Sequence, residues 1–534
     1  MEDCYAFVQN KLGTNAWIPL YIHQNIPKTA DDFFLFSALA PQDLKEDILS
    51  VYDWEITISS FRPGHIIRHE NSIRNAQYYR FGRDDAIEPI IVQRYFYGMK
   101  ETFFDVSEEF RHLYNLYYDE YEGTYKVILD DGNEEDVVKT SKDSVVINAK
   151  YLKEFLAIKQ CILILYINID RFSLGNLSDL GELPTQEIRK TSSINCSMSI
   201  CDCDWCQNGS NIYSRLIGKK VIPGLKEFDP ENFSPGSINT DEYLDFIIGI
   251  DPEGKEITFT CDEDKLANFF GKNPGKPNYV TPVFFKREVF EKYYANPEKY
   301  SVHDGHLNCG GLWSLRLDNN HEKYVIVMLG DLGQLPLSEQ QYWRSFNVKP
   351  DGKFSQVALK RGFAAEWTDP SMKDLIFKGK FERFQDAWKG KYGWDLFLPL
   401  AEGDEHYFKK IRVPLKESQS EFDELVLAIT KVLIDSLNEE KIQEKLSSKN
   451  PNERGITKLE RLLGEEGITN CEEHIKFLRR LQNLKSTTAS HRKGNEYKKA
   501  EGDWEIGRKR YKDVYCEILD HATRLLEFLE GISI

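Results

Sequence analysis

The clearest hydrophobic pattern lies near the end of the chain, where apolar positions recur with the period of an α-helix. Residues spaced three or four apart form one apolar stripe, made of Tyr511, Val514, Tyr515, Ile518, Leu519, Ala522, Leu525, Leu526 and Leu529. A second stripe, further upstream, lies in a helix predicted over residues 418–446 and consists of Phe422, Leu425, Ile429, Leu433 and Leu437. Such stripes must be buried against other elements. With two shorter helices predicted over 452–464 and 469–484, the pattern predicts a four-helix antiparallel bundle over residues 416–534.

Residues 1–208 combine helical and extended patterns. Residues 125–140 read as two strands around an acidic turn that contains glycine, which is a hairpin signal. Residues 149–160 form a short amphipathic helical pattern. The apolar run 161–169 is rich in β-branched residues and too short to cross ~30 Å of hydrocarbon as a helix, so it predicts a buried strand. This region is therefore predicted to be a mixed α+β domain.

Residues 209–415 are rich in glycine, proline and aromatic residues, with short strand-like segments and few helical ones. They predict an α+β or β-rich central domain. Their glycine-containing stretches, such as GDLGQLP and FGKNPGKP, lack the spacing and the lysine of a phosphate-binding P-loop, so no nucleotide site is predicted there. The expected fold class of the whole chain is α+β and multidomain.

Composition and charge narrow the function classes. The chain has 534 residues, of which 41% are hydrophobic, and a net charge of −17. It has enough apolar residues for several cores, and its acidity argues against a surface that coats nucleic acid everywhere. The segment MEDCYAFVQNKL does not resemble a signal peptide, so a cytoplasmic protein is expected. Ten cysteines in such a chain favour reduced thiols or metal ligands over a disulfide framework.

One basic segment stands out in this acidic chain. Residues 474–512 contain twelve lysines and arginines against four acidic residues, a local net charge of +8. A phosphate-bearing partner would relieve the repulsion among these cations. The alternative is an ordinary basic helix surface, or one that faces acidic residues of the same protein.

Within this segment, Lys485 and His491 form the element K-STTAS-H, just before the last predicted helix. Helices with a basic-x(4–6)-His element at this junction resemble the HEPN superfamily, whose ribonuclease members carry Arg-x(4–6)-His. The resemblance implies a homodimer that cleaves RNA without a metal cofactor, with His491 and Lys485 as catalytic residues. An imidazole can transfer protons near neutral pH, and a cation can stabilise charge on phosphoryl oxygens.

Four neighbouring cations, Arg479, Arg480, Arg492 and Lys493, are the predicted nucleic-acid contacts. Lysine stands where the family has arginine, and it cannot hold a phosphate through two parallel hydrogen bonds. Two interpretations follow. The chain is a regulated endoribonuclease, of the kind found in antiviral or toxin effectors with N-terminal sensing domains, or it is a non-catalytic nucleic-acid-binding or dimerisation protein with a degenerate motif. Five stretches of the central and C-terminal regions resemble uncharacterised bacterial proteins, which implies no activity: TPVFF, LGDLGQLP, EQQYWRSFNV, EFDELVLAITKVLIDSLNE and SHRKG.

A cysteine cluster is a candidate site for a structural zinc ion. Cys196, Cys201, Cys203 and Cys206 lie within eleven residues, and Cys203 and Cys206 have the C-x2-C spacing of a zinc knuckle. Tetrahedral sites normally need a second pair of ligands, for which the sequence offers only the scattered Cys261, His303, His306 and Cys309. The alternative is a loop with reduced thiols.

Overall fold

The computed structural model describes residues 2–26, 31–53, 67–69, 77–79, 88–94, 96, 98–180, 184–204, 210–226, 242–450, 452–488 and 502–533. Its contacts divide the chain into two compact units. Unit 1 comprises Met1–Leu129 and Asn133–Asn239, and unit 2 comprises Asp130–Gly132 and Thr240–Ile534.

Unit 1 is built around a large antiparallel sheet. Its strands are β1 (Trp17–Ile26), β2 (Asp31–Pro41), β3 (Ile67–His69), β4 (Gln77–Tyr79), β5 (Ile91–Arg94), β6 (Phe103–Val106), β7 (Tyr117–Asp119), β8 (Thr124–Ile128), β9 (Glu134–Thr140), β10 (Ser144–Asn148), β11 (Cys161–Ser173), β12 (Gln186–Lys190), β13 (Ile194–Asp202) and β14 (Ile212–Ile222). Its helices are α1 (Glu2–Asn10), α2 (Lys45–Ile48), α3 (Glu108–Leu113) and α4 (Ala149–Ile158). Ten strands form one sheet in the order β12-β13-β14-β11-β2-β1-β10-β9-β8-β7, while β3 pairs with β4 and β5 with β6.

Strand β11 explains why the apolar run 161–169 is a strand. It lies between β14 and β2, and every residue from 161 to 169 is buried, so both of its faces are covered. The predicted hairpin is also confirmed, since β8 pairs with β9. The predicted helix begins at Ala149, where the side chain of Asn148 accepts a hydrogen bond from the backbone N–H of Lys150 at 3.0 Å.

The sheet continues past residue 208, where the sequence pattern placed the first boundary. Strands β13 and β14 are paired from Ile194 opposite Lys220 to Asp202 opposite Ile212. The segment between them, residues 203–211, contains that boundary. Because its two flanking strands are hydrogen-bonded neighbours, β14 belongs to unit 1.

The first half of unit 2 consists of small antiparallel sheets and short helices. Its strands are β15 (Asp245–Ile250), β16 (Glu256–Thr260), β17 (Pro282–Lys286), β18 (Tyr300–His303), β19 (His306–Cys309), β20 (Trp313–Arg316), β21 (Tyr324–Met328) and β22 (Asn347–Val348), and its helices are α5 (Glu291–Ala295), α6 (Leu329–Leu332), α7 (Leu337–Arg344) and α8 (Gln356–Phe363). The sheets are β15-β16, β21-β17-β22 and β18-β19-β20. Helices thus accompany the predicted strands throughout this half.

The second half of unit 2 is helical, as the periodicity predicted. It contains α9 (Lys373–Tyr392), α10 (His406–Lys410), α11 (Gln419–Thr430), a π-helical turn (Lys431–Asp435), α12 (Glu439–Lys445), α13 (Gly455–Glu465), α14 (Glu472–Thr488) and α15 (Tyr511–Gly531). The predicted helix that contains the stripe from Phe422 to Leu437 is interrupted. The side chain of Asn438 caps a new helix, α12, by accepting a hydrogen bond from Lys441 N at 3.1 Å. The two predicted apolar stripes are buried, except for the half-buried Tyr511.

The helical core is larger than the predicted four-helix bundle. Residues of α9, upstream of residue 416, share one buried cluster with α11, α13, α14 and α15. The hydroxyl of Tyr392 on α9 donates a hydrogen bond to Ile532 O at 2.8 Å, and Lys373 pairs with Asp520 on α15 at 2.7 Å. The sequence boundary at 415–416 therefore falls inside this core. In the described ranges, no helix combines the length and the apolar character needed to cross a bilayer.

Candidate nucleic-acid interface

Helix α14 carries four of the cations of the basic segment. Its apolar residues Ile475, Leu478, Leu481 and Leu484 recur every third position and are buried in the helical core. This periodicity leaves the polar positions of the helix on the remaining faces. Arg479, Arg480 and Lys485 are accordingly half-buried or exposed.

Lys485 lies near the C-terminal end of α14 and is paired with a carboxylate. Its Nζ is 2.6 Å from Oδ2 of Asp435, the last residue of the π-helical turn. The two side chains are 26% and 34% exposed, so the pair lies at the surface of the helical core rather than within it. Asp435 also lies 4.0 Å from Lys431. His491, Arg492 and Lys493 lie outside the described residues.

Arg479 and Arg480 point to different surroundings. The guanidinium of Arg479 forms an ion pair with Glu460 on α13, and both side chains are about half exposed. Arg480 donates a hydrogen bond to the backbone carbonyl of Asp503, and its guanidinium lies 4.2 Å from the ring centre of Trp504. Adjacent residues on a helix point about 100° apart, so these two arginines do not form a single phosphate clamp.

Two histidines that the sequence analysis did not single out lie between α14 and α15. The ring of His521 packs on Phe477 at 5.4 Å and on Trp504 at 6.3 Å. Burial, followed by the positive charges of Arg524 and Arg480, lowers the pKa of His521 below its ordinary value. His474 stacks on Phe528 at 4.4 Å, and its pKa is also lowered, mainly by burial.

This arrangement places a neutral imidazole and a guanidinium against the same indole, that of Trp504. A neutral imidazole can accept a proton, and a guanidinium can bind a phosphate. The sequence signal for His521 was only a histidine beside the apolar stripe of the last helix. Such a position is common for a histidine that packs at the margin of a core, so the pattern alone could not select it.

The described cysteines of the cluster do not converge. Cys196 and Cys201 are both on β13 and an odd number of residues apart, so their side chains lie on opposite faces of the sheet. Cys196 is buried, which raises the pKa of its thiol to about 12, whereas Cys201 is exposed. Cys203 is disulfide-bonded, and Cys206 lies outside the described residues.

In the part of the chain that the structure describes, no group of three or more histidine, cysteine or acidic side chains is arranged to hold a metal ion. A sulfur engaged in a disulfide does not supply the thiolate that zinc binds, so Cys203 does not fit the ligand set in this state. The structural zinc ion, which also involves Cys206, stays a prediction. Comparison with known proteins found no matching family model, no matching curated protein and no matching solved structure.

Proposed function

We propose that the protein is a regulated, metal-independent endoribonuclease whose site lies at the C-terminal end of α14, with Lys485 and His491 as catalytic residues. The observation that supports this proposal is the position of Lys485. Its ammonium group lies at the surface of the helical core, six residues before His491, and not in the apolar interior. A cation there can reach a phosphate in solution.

The chemistry needs one imidazole and one cation. The imidazole of His491 takes the proton of a ribose 2′-hydroxyl, and the 2′-oxygen attacks the adjacent phosphorus. The bond from phosphorus to the 5′-oxygen breaks, and that oxygen takes up a proton as it leaves. Lys485 stabilises the negative charge on the phosphoryl oxygens. The products are a 2′,3′-cyclic phosphate and a 5′-hydroxyl end, and DNA is not cleaved because it lacks the 2′-hydroxyl.

The ion pair between Lys485 and Asp435 fits a regulated enzyme. A phosphate that binds Lys485 must compete with Asp435, which lies 2.6 Å from the ammonium. The site is therefore restrained in the resting chain. In the predicted arrangement of a toxin or antiviral effector, the upstream regions sense a trigger, and a homodimer brings two copies of the motif together.

A second candidate function is non-catalytic binding of nucleic acid or dimerisation. This second candidate is favoured because the predicted cations in the described part of α14 already contact groups of the same chain. Lys485 faces Asp435, Arg479 faces Glu460, and Arg480 faces a backbone carbonyl. Cations held in this way contribute to a positive surface without being arranged around a reacting phosphate.

The deciding experiment incubates the purified full chain with end-labelled RNA in EDTA, alongside the same sequence as DNA and as 2′-O-methyl RNA. The proposal predicts cleavage of the unmodified RNA alone. We expect His491→Ala to abolish cleavage and Lys485→Ala to reduce it by about 10²-fold or more, the scale of losing one charge-stabilising group. The matched control is His406→Ala, a histidine of the same helical region whose ring contacts the Gly403 carbonyl.

The outcomes separate the two candidates. Binding of RNA without cleavage, unaffected by His491→Ala and weakened by the double change Arg492→Ala with Lys493→Ala, would establish the binding module. Cleavage that survives His491→Ala and disappears in His521→Gln would transfer the catalytic role to the imidazole beside Arg480. A protein that neither binds nor cleaves RNA would exclude the ribonuclease and the RNA-binding module, and would leave dimerisation as the remaining role of the second candidate.

A further inference from the structure

We propose that a cavity of about 310 Å³ in unit 2 binds a nucleoside monophosphate, with lysines at the phosphate and the exposed Trp367 at the base. The cavity lies between the β18–β19 hairpin, the loop after α8, the first half of α9 and the end of α10. Its charged lining consists of His303, Asp304, Arg361, Asp369, Lys378, Glu382, Arg383 and Lys409. The site is separate from α14 and does not depend on the proposed ribonuclease activity.

Two lysines of the lining are not neutralised by a carboxylate contact. Lys378 donates from Nζ to the backbone carbonyl of Lys409 at 2.9 Å, and Lys409 donates from Nζ to the carbonyl of Pro297 at 3.0 Å. Neither ammonium forms an ion pair within the described ranges. Each ammonium group has three N–H donors, of which only one is used in the hydrogen bond to a backbone carbonyl. An anion in the cavity can accept them.

The environment of Lys378 makes an anion more favourable still. Removal from water lowers the pKa of Lys378 to about 8, with Arg412 adding to the effect and Asp374 and Glu382 opposing it. A cation that has lost solvation regains free energy when a negative charge binds beside it. Among the other lining groups, Arg361 is already paired with Asp304 at 2.7 Å.

Trp367 provides a flat apolar surface at the same cavity. Its side chain lines the cavity although the residue is 87% exposed. Large aromatic side chains dominate buried cores and interfaces, so a tryptophan left open to solvent beside cations is available for a planar ligand. Stacking of a nucleic-acid base on such a ring is a general mode of recognition and tolerates different bases.

The volume of the cavity and the charge of its lining favour a mononucleotide as the ligand. A volume of about 310 Å³ is at the lower end of small-molecule sites, ~300–1,000 Å³. The lining has four lysine or arginine side chains against three carboxylates, which gives a small positive excess that suits one phosphate rather than three. Glu382 is the lining carboxylate without an ion pair in the described residues, and it can accept hydrogen bonds from ribose hydroxyls or a base amine.

The test is isothermal titration calorimetry of the full chain with AMP, GMP, CMP and UMP, and with adenosine and inorganic phosphate as partial ligands. We expect at least one nucleotide to bind, and adenosine and phosphate each to bind at least tenfold more weakly. Lys378→Met, which keeps the aliphatic chain and removes the charge, should weaken nucleotide binding at least tenfold. Trp367→Leu should weaken it at least fivefold.

The matched control is Lys389→Met, on the same helix but paired with Asp395 and outside the cavity lining, which should leave binding unchanged. Lys409→Met carries the same expectation as Lys378→Met and replaces it if that variant does not fold. The proposal is overturned if no nucleotide binds at 5 mM, if phosphate or adenosine binds as tightly as the nucleotides, or if Lys389→Met weakens binding as much as the cavity variants.

Discussion

Asp435 is an ion-pair partner of Lys485 that a phosphate-bearing ligand would have to displace. It ends a π-helical turn, fifty positions before Lys485 in the chain, and its carboxylate lies 2.6 Å from the lysine ammonium. Partly exposed ion pairs of this kind contribute ~0–1 kcal/mol, so a phosphate-bearing ligand can displace Asp435 at little cost. The pair therefore works as a weak restraint on the proposed RNA site and not as a permanent block.

At this scale we predict that Asp435→Asn strengthens RNA binding. Removal of the competing negative charge should increase RNA affinity about two- to fivefold, which corresponds to an ion pair of up to ~1 kcal/mol. Fluorescence anisotropy of a labelled RNA oligonucleotide at low salt measures the effect.

Two comparisons make this prediction specific. Glu444→Gln also removes one acidic group from an exposed pair of the helical region, with Lys441, and should change RNA affinity less than Asp435→Asn. In a Lys485→Met background the gain from Asp435→Asn should disappear, because the cation that it releases is absent. An equal gain in that background would show that the effect is one of overall charge.

At the scale of elements, α14 and α15 are joined by an interface that contains two histidines. His474 stacks on Phe528, and His521 packs on Phe477, so each ring connects the two helices. The pKa values of both histidines are lowered, with burial as the largest cause. Protonating them in the folded state puts positive charge at an interface that already contains Arg480 and Arg524, while Glu473 and Glu517 offset only part of it.

We predict that this interface weakens as the pH falls. A histidine whose folded-state pKa lies below its unfolded value of 6.5 binds fewer protons when folded, so the free energy of unfolding decreases as the pH drops through 6.5 toward the folded-state pKa. The double variant His474→Gln with His521→Gln should lose less stability than the wild type between pH 7.5 and pH 5.5. Urea denaturation at each pH measures the slopes, and parallel curves for the two proteins would contradict the prediction.

At the scale of the whole molecule, each unit has its own buried core. The core of unit 1 is centred on the apolar strands of the large sheet, and unit 2 contains a helical core and a smaller one around β17 and β21. A chain with separate cores is not expected to unfold in a single two-state transition.

We therefore predict at least two thermal transitions that respond to different core substitutions. Leu165→Ala, in β11 of unit 1, and Leu478→Ala, in α14 of unit 2, both replace fully buried leucines and should each cost ~2–5 kcal/mol. Each should lower one transition in scanning calorimetry and leave the other in place. Leu174→Ala, at a 77% exposed leucine of unit 1, serves as the control and should shift neither transition appreciably. A single transition shifted by both core variants would contradict the prediction.

Local patterns were sufficient for several elements of this fold. The last predicted helix matches α15, and the apolar run 161–169 matches the first part of β11. These predictions succeed because helices and strands place side chains on one face at characteristic short spacings, which can be read from residues a few positions apart in the chain. The single helix predicted from 418 to 446 was interrupted instead, because the capping side chain of Asn438 begins α12 after the π-helical turn.

For the candidate site, the sequence indicated a basic α14 but not the partners of its cations. Lys485 meets Asp435 fifty residues upstream, and Arg480 meets Trp504. His521 becomes a candidate only because it contacts the same indole as Arg480. None of these pairings follows from spacing along one helix, because each joins two separate segments.

The sequence by itself determined the classes of element, the acidic total charge and the position of the basic segment, since these depend on composition and on residues a few positions apart. The tertiary structure alone decided which β-strands extend the large sheet past residue 208 and which charges are buried. Glu339 shows the difference: it is fully buried because Lys292, at 2.6 Å, and the hydroxyl of Tyr293, at 2.7 Å, donate to its carboxylate from more than forty residues away. A buried carboxylate is tolerated only where such donors converge, and convergence of distant residues is a property of the fold.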